Sequence, residues 1–149
     1  MVVDVLTETV IDRPRAEVAA FVGDPTNASR WYVNIRAVTW KTAPPLAVGS
    51  QIAFVARFLG KTMAYTYEVV EFVPDERLAM RTSEGAFPME TTYTWAPTAD
   101  GTGTRMTLRN RGTPSGFSML VAPLMERAIR RANAKDLALL KHLMEAGIR

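Results

Sequence analysis

The chain has 149 residues, of which 48% are apolar and 22% charged, with a net charge of +3. This is the composition of a soluble globular protein, read as one domain over residues 1–149 and large enough to build a core without staples. It has no cysteine and a single histidine, His142, which excludes disulfides, cysteine nucleophiles, thiolate metal sites and multi-histidine metal centres.

The opening run MVVDVLTETV lacks a basic region and carries Asp4 and Glu8, so it does not read as a signal peptide. No uncharged run is long enough to span a membrane, and a cytoplasmic location is the default expectation. The positive balance raises nucleic acid as a partner. The arginines are scattered among Asp and Glu residues, however, and this predicts a mixed solvated surface with no nucleic-acid site.

Val2 to Asp12 alternates as a strand, with Val3, Val5, Thr7, Thr9 and Ile11 on one face. Asp12 then reads as a helix cap with Pro14 in the first turn, followed by a short helix through Val22. Gly23-Asp24-Pro25 breaks it, and Thr26 to Arg30 suits a second short helix before Trp31-Tyr32.

From Ile35 onward strand follows strand: Ile35 to Thr42, Gln51 to Leu59, Thr62 to Val73, Arg77 to Ser83, Phe87 to Ala96 and Thr104 to Arg111. The separators are turn chemistry, including Gly60-Lys61, Pro74-Asp75, Glu84-Gly85 and Asp100-Gly101-Thr102-Gly103. Short connections imply an antiparallel meander. Nearly every strand has one apolar and one polar face, the pattern of a sheet covered on one side. The segment Thr113-Pro114-Ser115-Gly116 turns into Phe117 to Ala122, and Pro123 should kink or restart the helix that follows.

Pro123 to Ala146 reads as that helix, roughly 36 Å long at 1.5 Å per residue. Met125, Ala128, Ile129, Ala132, Leu139, Leu140 and Leu143 form its apolar stripe. The stripe presents small groups first and bulky ones later, so its second half should seal a core and its first half, residues 124–132, should leave room. The expected fold is α+β, a seven-stranded curved antiparallel sheet around a long C-terminal helix, with two short helices after the first strand. One helix is too thin to fill such a trough, so a ligand cavity is expected under Ala128 and Ala132.

The order of elements resembles the helix-grip fold of the START-like (SRPBCC) superfamily. Pro14-Arg15-Ala16-Glu17-Val18, Asp24-Pro25 with Arg30-Trp31, Val48-Gly49-Ser50, Glu68-Val69-Val70-Glu71-Phe72-Val73-Pro74, Gly103-Thr104-Arg105 and Leu140-Lys141 with Glu145 are similar to its polyketide cyclase/dehydrase-like branch. The resemblance implies this fold and a ligand cavity but no particular reaction.

The residues expected to bind a ligand are Trp31, Phe54, Phe58, Tyr65, Tyr67, Met80, Met89, Tyr93, Met106, Leu124 and Ala128. Plain core packing would use many of the same side chains, Trp31 above all. Tyr65, Tyr67 and Asp136 are the candidates for acid–base chemistry. Asp136 falls near the centre of the apolar stripe in its bulky half, which favours a structural role, with Asn133 placed to orient it. His142 borders the polar side and should be exposed, and no histidine lies near Ser29, Ser115 or Ser118 to activate them. No glycine-rich phosphate motif occurs, and no cofactor or metal is expected.

Three functions compete: binding of a small hydrophobic or aromatic ligand (lipid, polyketide or isoprenoid-like), a cyclase, aromatase or dehydratase using the same cavity, and docking of an acidic partner or membrane surface on Arg57, Arg81, Arg105 and Arg109. The first is preferred. Monomer and homodimer remain open.

Overall fold

The structure is a computed structural model and describes residues 3–58, 60–84, 88–113 and 122–147. In chain order the elements are β1 (Val3–Ile11), α1 (Arg15–Val22), a 3-10 turn (Pro25–Asn27), α2 (Ala28–Trp31), β2 (Ile35–Trp40), β3 (Gln51–Phe58), β4 (Lys61–Val73), β5 (Arg77–Glu84), β6 (Met89–Pro97), β7 (Thr104–Gly112) and α3 (Ala122–Glu145). Val2, Leu59, Gly85, Phe87 and the stretch 114–121, all used in the sequence reading, lie outside the described residues.

The seven strands form one antiparallel sheet in the order β1-β7-β6-β5-β4-β3-β2. Strands β2 to β7 make the expected meander, and β1 returns to pair with β7 from Val3↔Gly112 to Ile11↔Thr104. Register breaks fall at Ile35/Ala37 in β2, at Val69/Glu71 in β4 and, opposite Thr66/Tyr67, between Thr82 and Glu84 in β5. An extra residue on one strand raises local twist, and these breaks curl the sheet into the trough of a helix-grip fold.

Local chemistry corrects two details. Asp12 does not cap α1: Pro14 stands at the cap position with no side-chain bond, and the Asp12 N–H instead donates to Glu145 Oε2 at 2.9 Å. The second short helix is split into the 3-10 turn and α2, because the Asp24 carboxylate caps the turn by accepting from the Thr26 N–H at 3.0 Å. Pro123 stands in the first turn of α3, which begins at Ala122, and there a proline lacks only an N–H that would have no helical partner.

The second half of α3 seals the core as expected, but through a different set. Leu137, Leu140 and Met144 are buried, while Leu139 and Leu143 are half-buried. At 100° per residue the buried direction drifts along the rod, as it must where a straight helix crosses a twisted sheet.

The C-terminal end of α3 is tied to β1. The Arg13 guanidinium donates to the carbonyls of Met144 (2.9 Å) and Glu145 (3.2 Å), which satisfies groups that a helix end leaves unpaired and places a cation at its negative pole. Lys141 Nζ donates to Val10 O at 2.6 Å and Arg130 Nη1 to Leu6 O at 3.2 Å, so two outward carbonyls of the edge strand are occupied. Glu145 accepts from Lys141 as well as from Asp12, and these bonds, that of Lys141 first, hold its carboxyl below its ordinary range.

On the outer face, Arg109 pairs with Asp4 at 2.6 Å, Arg105 with Glu8 at 3.3 Å and Arg81 with Glu90 at 3.4 Å. Three of the four arginines considered for docking an acidic partner thus face carboxylates on neighbouring strands.

The two ends of α3 should respond differently to truncation. Leu140→Ala, at a fully buried position, should cost about 2–5 kcal/mol in urea unfolding, whereas Leu124→Ala, 66% exposed, should stay within about 0.5 kcal/mol.

Candidate functional site

Beside the N-terminal half of α3 the trough is not filled. A cavity of about 180 Å³, partly open to solvent, lies between the helix and the inner faces of the strands. An apolar cavity of ~150 Å³ suffices for benzene, so the space suits a compact ring-bearing molecule or the end of a longer one.

Alternation places the strand side chains. Phe54 and Phe58 come from β3, Met63, Tyr65 and Tyr67 from β4, Met80 from β5, and Met89, Thr91 and Tyr93 from β6. Helical spacing places the others: Met125, Ile129, Ala132, Asn133 and Asp136 lie within one face of α3. Asn110, Arg111 and Gly112 close the β7 side, and Tyr32, Asn34 and Ile35 the α2–β2 side.

The aromatic wall is ordered by ring contacts. Phe54 stacks on Tyr65 with centroids 5.4 Å apart, and Tyr67 stands edge-on to both, 5.7 Å from Phe54 and 5.2 Å from Tyr65. Four methionines, Met63, Met80 and Met89 from the strands and Met125 from α3, give the apolar surface a shape that can adapt to a guest.

Several of the polar groups are held by neighbours. The hydroxyls of Tyr32 and Tyr93 lie 2.6 Å apart, and Asp136 Oδ1 accepts the Val33 N–H at 3.0 Å. From α3 into the sheet, Asn133 Nδ2 donates to Asn110 Oδ1 at 2.6 Å, Asn110 Nδ2 donates to Thr91 Oγ1 at 2.8 Å, and the Thr91 and Tyr67 hydroxyls lie 2.8 Å apart.

Burial sets the protonation of these groups. It pushes the Tyr67 phenol up to about 12 and the Tyr32, Tyr65 and Tyr93 phenols well above their ordinary value, so all four are neutral donors near pH 7. Burial also raises the Asp136 carboxyl to about 6, against the lowering effect of the Val33 N–H. Asp136 is therefore a carboxyl that exchanges its proton close to neutrality.

Of the side chains expected at a ligand site, Phe54, Phe58, Tyr65, Tyr67, Met80, Met89 and Tyr93 line the cavity. Trp31, Met106, Ala128 and Leu124 are not among the lining residues. Trp31, 1% exposed, packs on Tyr32 with centroids 4.0 Å apart, and Met106, fully buried, lies opposite Trp95 on β6. Ala128 sits roughly 80° from the middle of the lining face of α3 at 100° per residue, and Leu124 still further round. Asp136 lines the cavity, which corrects its assignment to the sealed half of the helix. Tyr32, on a loop that the sequence allows to border the cavity, lines it, whereas Asn110 and Thr91 were not singled out as cavity groups; the alternation of β6 and β7 was the available signal for these two.

A wider, more open hollow of about 500 Å³ lies beyond α1, between Trp40, Phe72, Trp95 and the loop Pro44 to Leu46. Of its polar side chains Asp24, Thr26 and Asp75 are exposed, and the Trp95 indole Nε1 is buried without a hydrogen-bond partner. Among the described residues no group of three or more His, Cys, Asp or Glu side chains is arranged to hold a metal, and no helix is long and apolar enough to cross a membrane.

Comparison with curated protein sequences found no match. Among solved structures, the chain is similar to TTHA0849 of Thermus thermophilus, with a TM-score of 0.82, 21% identity, and coverage of 97% of this chain and 98% of that one. It is also similar to the ZhuI aromatase/cyclase of Streptomyces sp. R1128, with a TM-score of 0.80 and 16% identity over 100% of this chain and 97% of the other. A START superfamily protein of Mycobacterium smegmatis aligns with a TM-score of 0.70 and 12% identity, over 97% and 96% of the two chains. At these identities the likeness establishes the fold. The model of the family described as polyketide cyclase / dehydrase and lipid transport matches residues 3–145, nearly the whole length, and the chain belongs to that family.

Proposed function

We propose that the protein binds a small, largely apolar or aromatic molecule, of lipid, polyketide or isoprenoid-like character, in the cavity under the N-terminal half of α3. The observation that carries this reading is the cavity's composition: an aromatic and methionine wall interrupted by polar groups, several of them held in place by neighbours. A lining that only filled a core would bring its apolar side chains into contact, whereas a ligand site keeps a hollow and orients a few polar groups toward it. The family's description supports the same reading.

A second reading, catalysis of the cyclase, aromatase or dehydratase kind, is favoured by one specific feature. Asp136, with its proton poised near neutrality, shares the cavity with the neutral phenols of Tyr32 and Tyr93. A base that takes a proton at carbon and a phenol that steadies the resulting oxygen are the groups such a reaction requires. Tyr65, Tyr67 and Asp136 remain the residues to test for turnover.

Native mass spectrometry of the purified protein should reveal a co-purifying hydrophobic molecule. Ala132→Trp, which fills the hollow from the helix side, should abolish that added mass while thermal unfolding remains cooperative. A wild-type protein that carries no guest and takes up none from a panel of aromatic compounds would overturn the binding reading. Under the catalytic reading, Tyr65→Phe, Tyr67→Phe or Asp136→Asn should lose turnover and keep binding.

Asp136 also makes a pH prediction. Its carboxyl is raised from the ordinary 3.8 to about 6, so the native state holds the proton more tightly than the unfolded chain. The stability it contributes is complete below about 3.8 and is lost as pH rises to about 6. Measured against Asp136→Asn by urea unfolding, the wild type should lose on the order of 2 kcal/mol between pH 4 and pH 7. A difference that stays flat over that range would contradict the raised value.

A further inference from the structure

The hydrogen bonds that cross the cavity do more than satisfy buried groups: their donors and acceptors can be counted. Asn110 Oδ1 accepts from Asn133 Nδ2, so the nitrogen of the Asn110 amide is the end that faces Thr91, and it donates to Thr91 Oγ1. Thr91 and Tyr67 then have two hydroxyl hydrogens and one O–H···O contact between them. Whichever hydroxyl donates in that contact, one hydrogen is left over, and both side chains line the cavity. Among the described residues no acceptor takes it.

We propose that Asn110, held by Asn133, is a positioning residue for ligand selection: by donating to Thr91 it leaves one hydroxyl hydrogen of the Thr91–Tyr67 pair for a guest that carries an acceptor oxygen. This rests on the ligand-binding reading above and adds a chemical class to it: compact aromatic or alicyclic molecules with a ketone or similar carbonyl on the ring system. A hydrocarbon of the same shape leaves the hydrogen unpaired in an apolar hollow, and that unpaired donor is the basis of the discrimination.

Asn110→Asp reverses the count. A carboxylate accepts from Asn133 and from the Thr91 hydroxyl, Thr91 in turn accepts the Tyr67 hydrogen, and this pair has none left for the guest. A side chain that only packed would alter the affinity of every guest alike, so the decisive quantity is a ratio of two affinities within one variant.

The test uses acetophenone and ethylbenzene, which are close in shape and differ in a carbonyl oxygen, with binding measured by calorimetry or by ligand-observed NMR at pH 8. The ratio of acetophenone to ethylbenzene affinity should fall roughly threefold to tenfold in Asn110→Asp, the worth of one hydrogen bond in such a site. It should stay near the wild-type value in Thr91→Ser, which keeps the hydroxyl, and in Tyr67→Phe, where the Thr91 hydrogen, no longer engaged with Tyr67, becomes the spare donor. A ratio unchanged in Asn110→Asp while ethylbenzene still binds would overturn this inference and leave the binding reading intact. Failure of both probes to bind the wild type would overturn both.

Discussion

One helix, about 10 Å across, has to serve a trough built from seven strands, and it cannot touch all of it at once. Where it touches is decided by how it is fastened. Arg13, Lys141 and Glu145 hold its C-terminal end against β1, and Leu137, Leu140 and Met144 are pressed into the core beside that anchorage. The unfilled space therefore falls toward the other end, beside Met125, Ile129 and Ala132. The position of the cavity follows from the position of the clamp.

The character of the cavity follows from the strands. Period-two alternation delivers Phe54, Tyr65 and Tyr67 to the inner face, and three rings at 5.2–5.7 Å from one another make a wall that does not collapse onto the helix. The same alternation brings Thr91 and Asn110 to that face, where a polar group must find a partner. Asn133 on α3 supplies one, so the cavity's polar groups are ordered from the helix side as well as from the sheet. Asp136, one turn further along, is held by the Val33 N–H, which ties the α2–β2 connection to the same helix face.

Much of this was legible in the residues. Turn chemistry and alternation marked the strands, and the small-then-bulky stripe placed the hollow under the N-terminal half of α3. What the stripe did not show is its rotation. Read as straight, it assigned Ala128 to the hollow and Asp136 to the seal, whereas the twisted sheet turns the contact face along the rod, so Asp136 reaches the cavity and Ala128 lies to one side. The Asn133–Asn110–Thr91–Tyr67 chain was illegible for a different reason. Its members are distant in sequence, and each alone reads as an ordinary polar residue of a strand or helix. The ends of the short helices were misread because Asp12 uses its backbone in the clamp on α3, a contact across 133 positions that no local pattern announces.

The donation of Lys141 and Arg130 to the outward carbonyls of β1 has a consequence for assembly. A seven-stranded sheet has two margins, and α3 blocks one of them, while among the described residues no α3 side chain bonds to β2. Two copies joined through main-chain bonds would each use the β2 margin, and with the opposite border already engaged there would be nowhere for a third to attach. Growth into an open-ended ribbon is closed off by the same side chains that seat the helix.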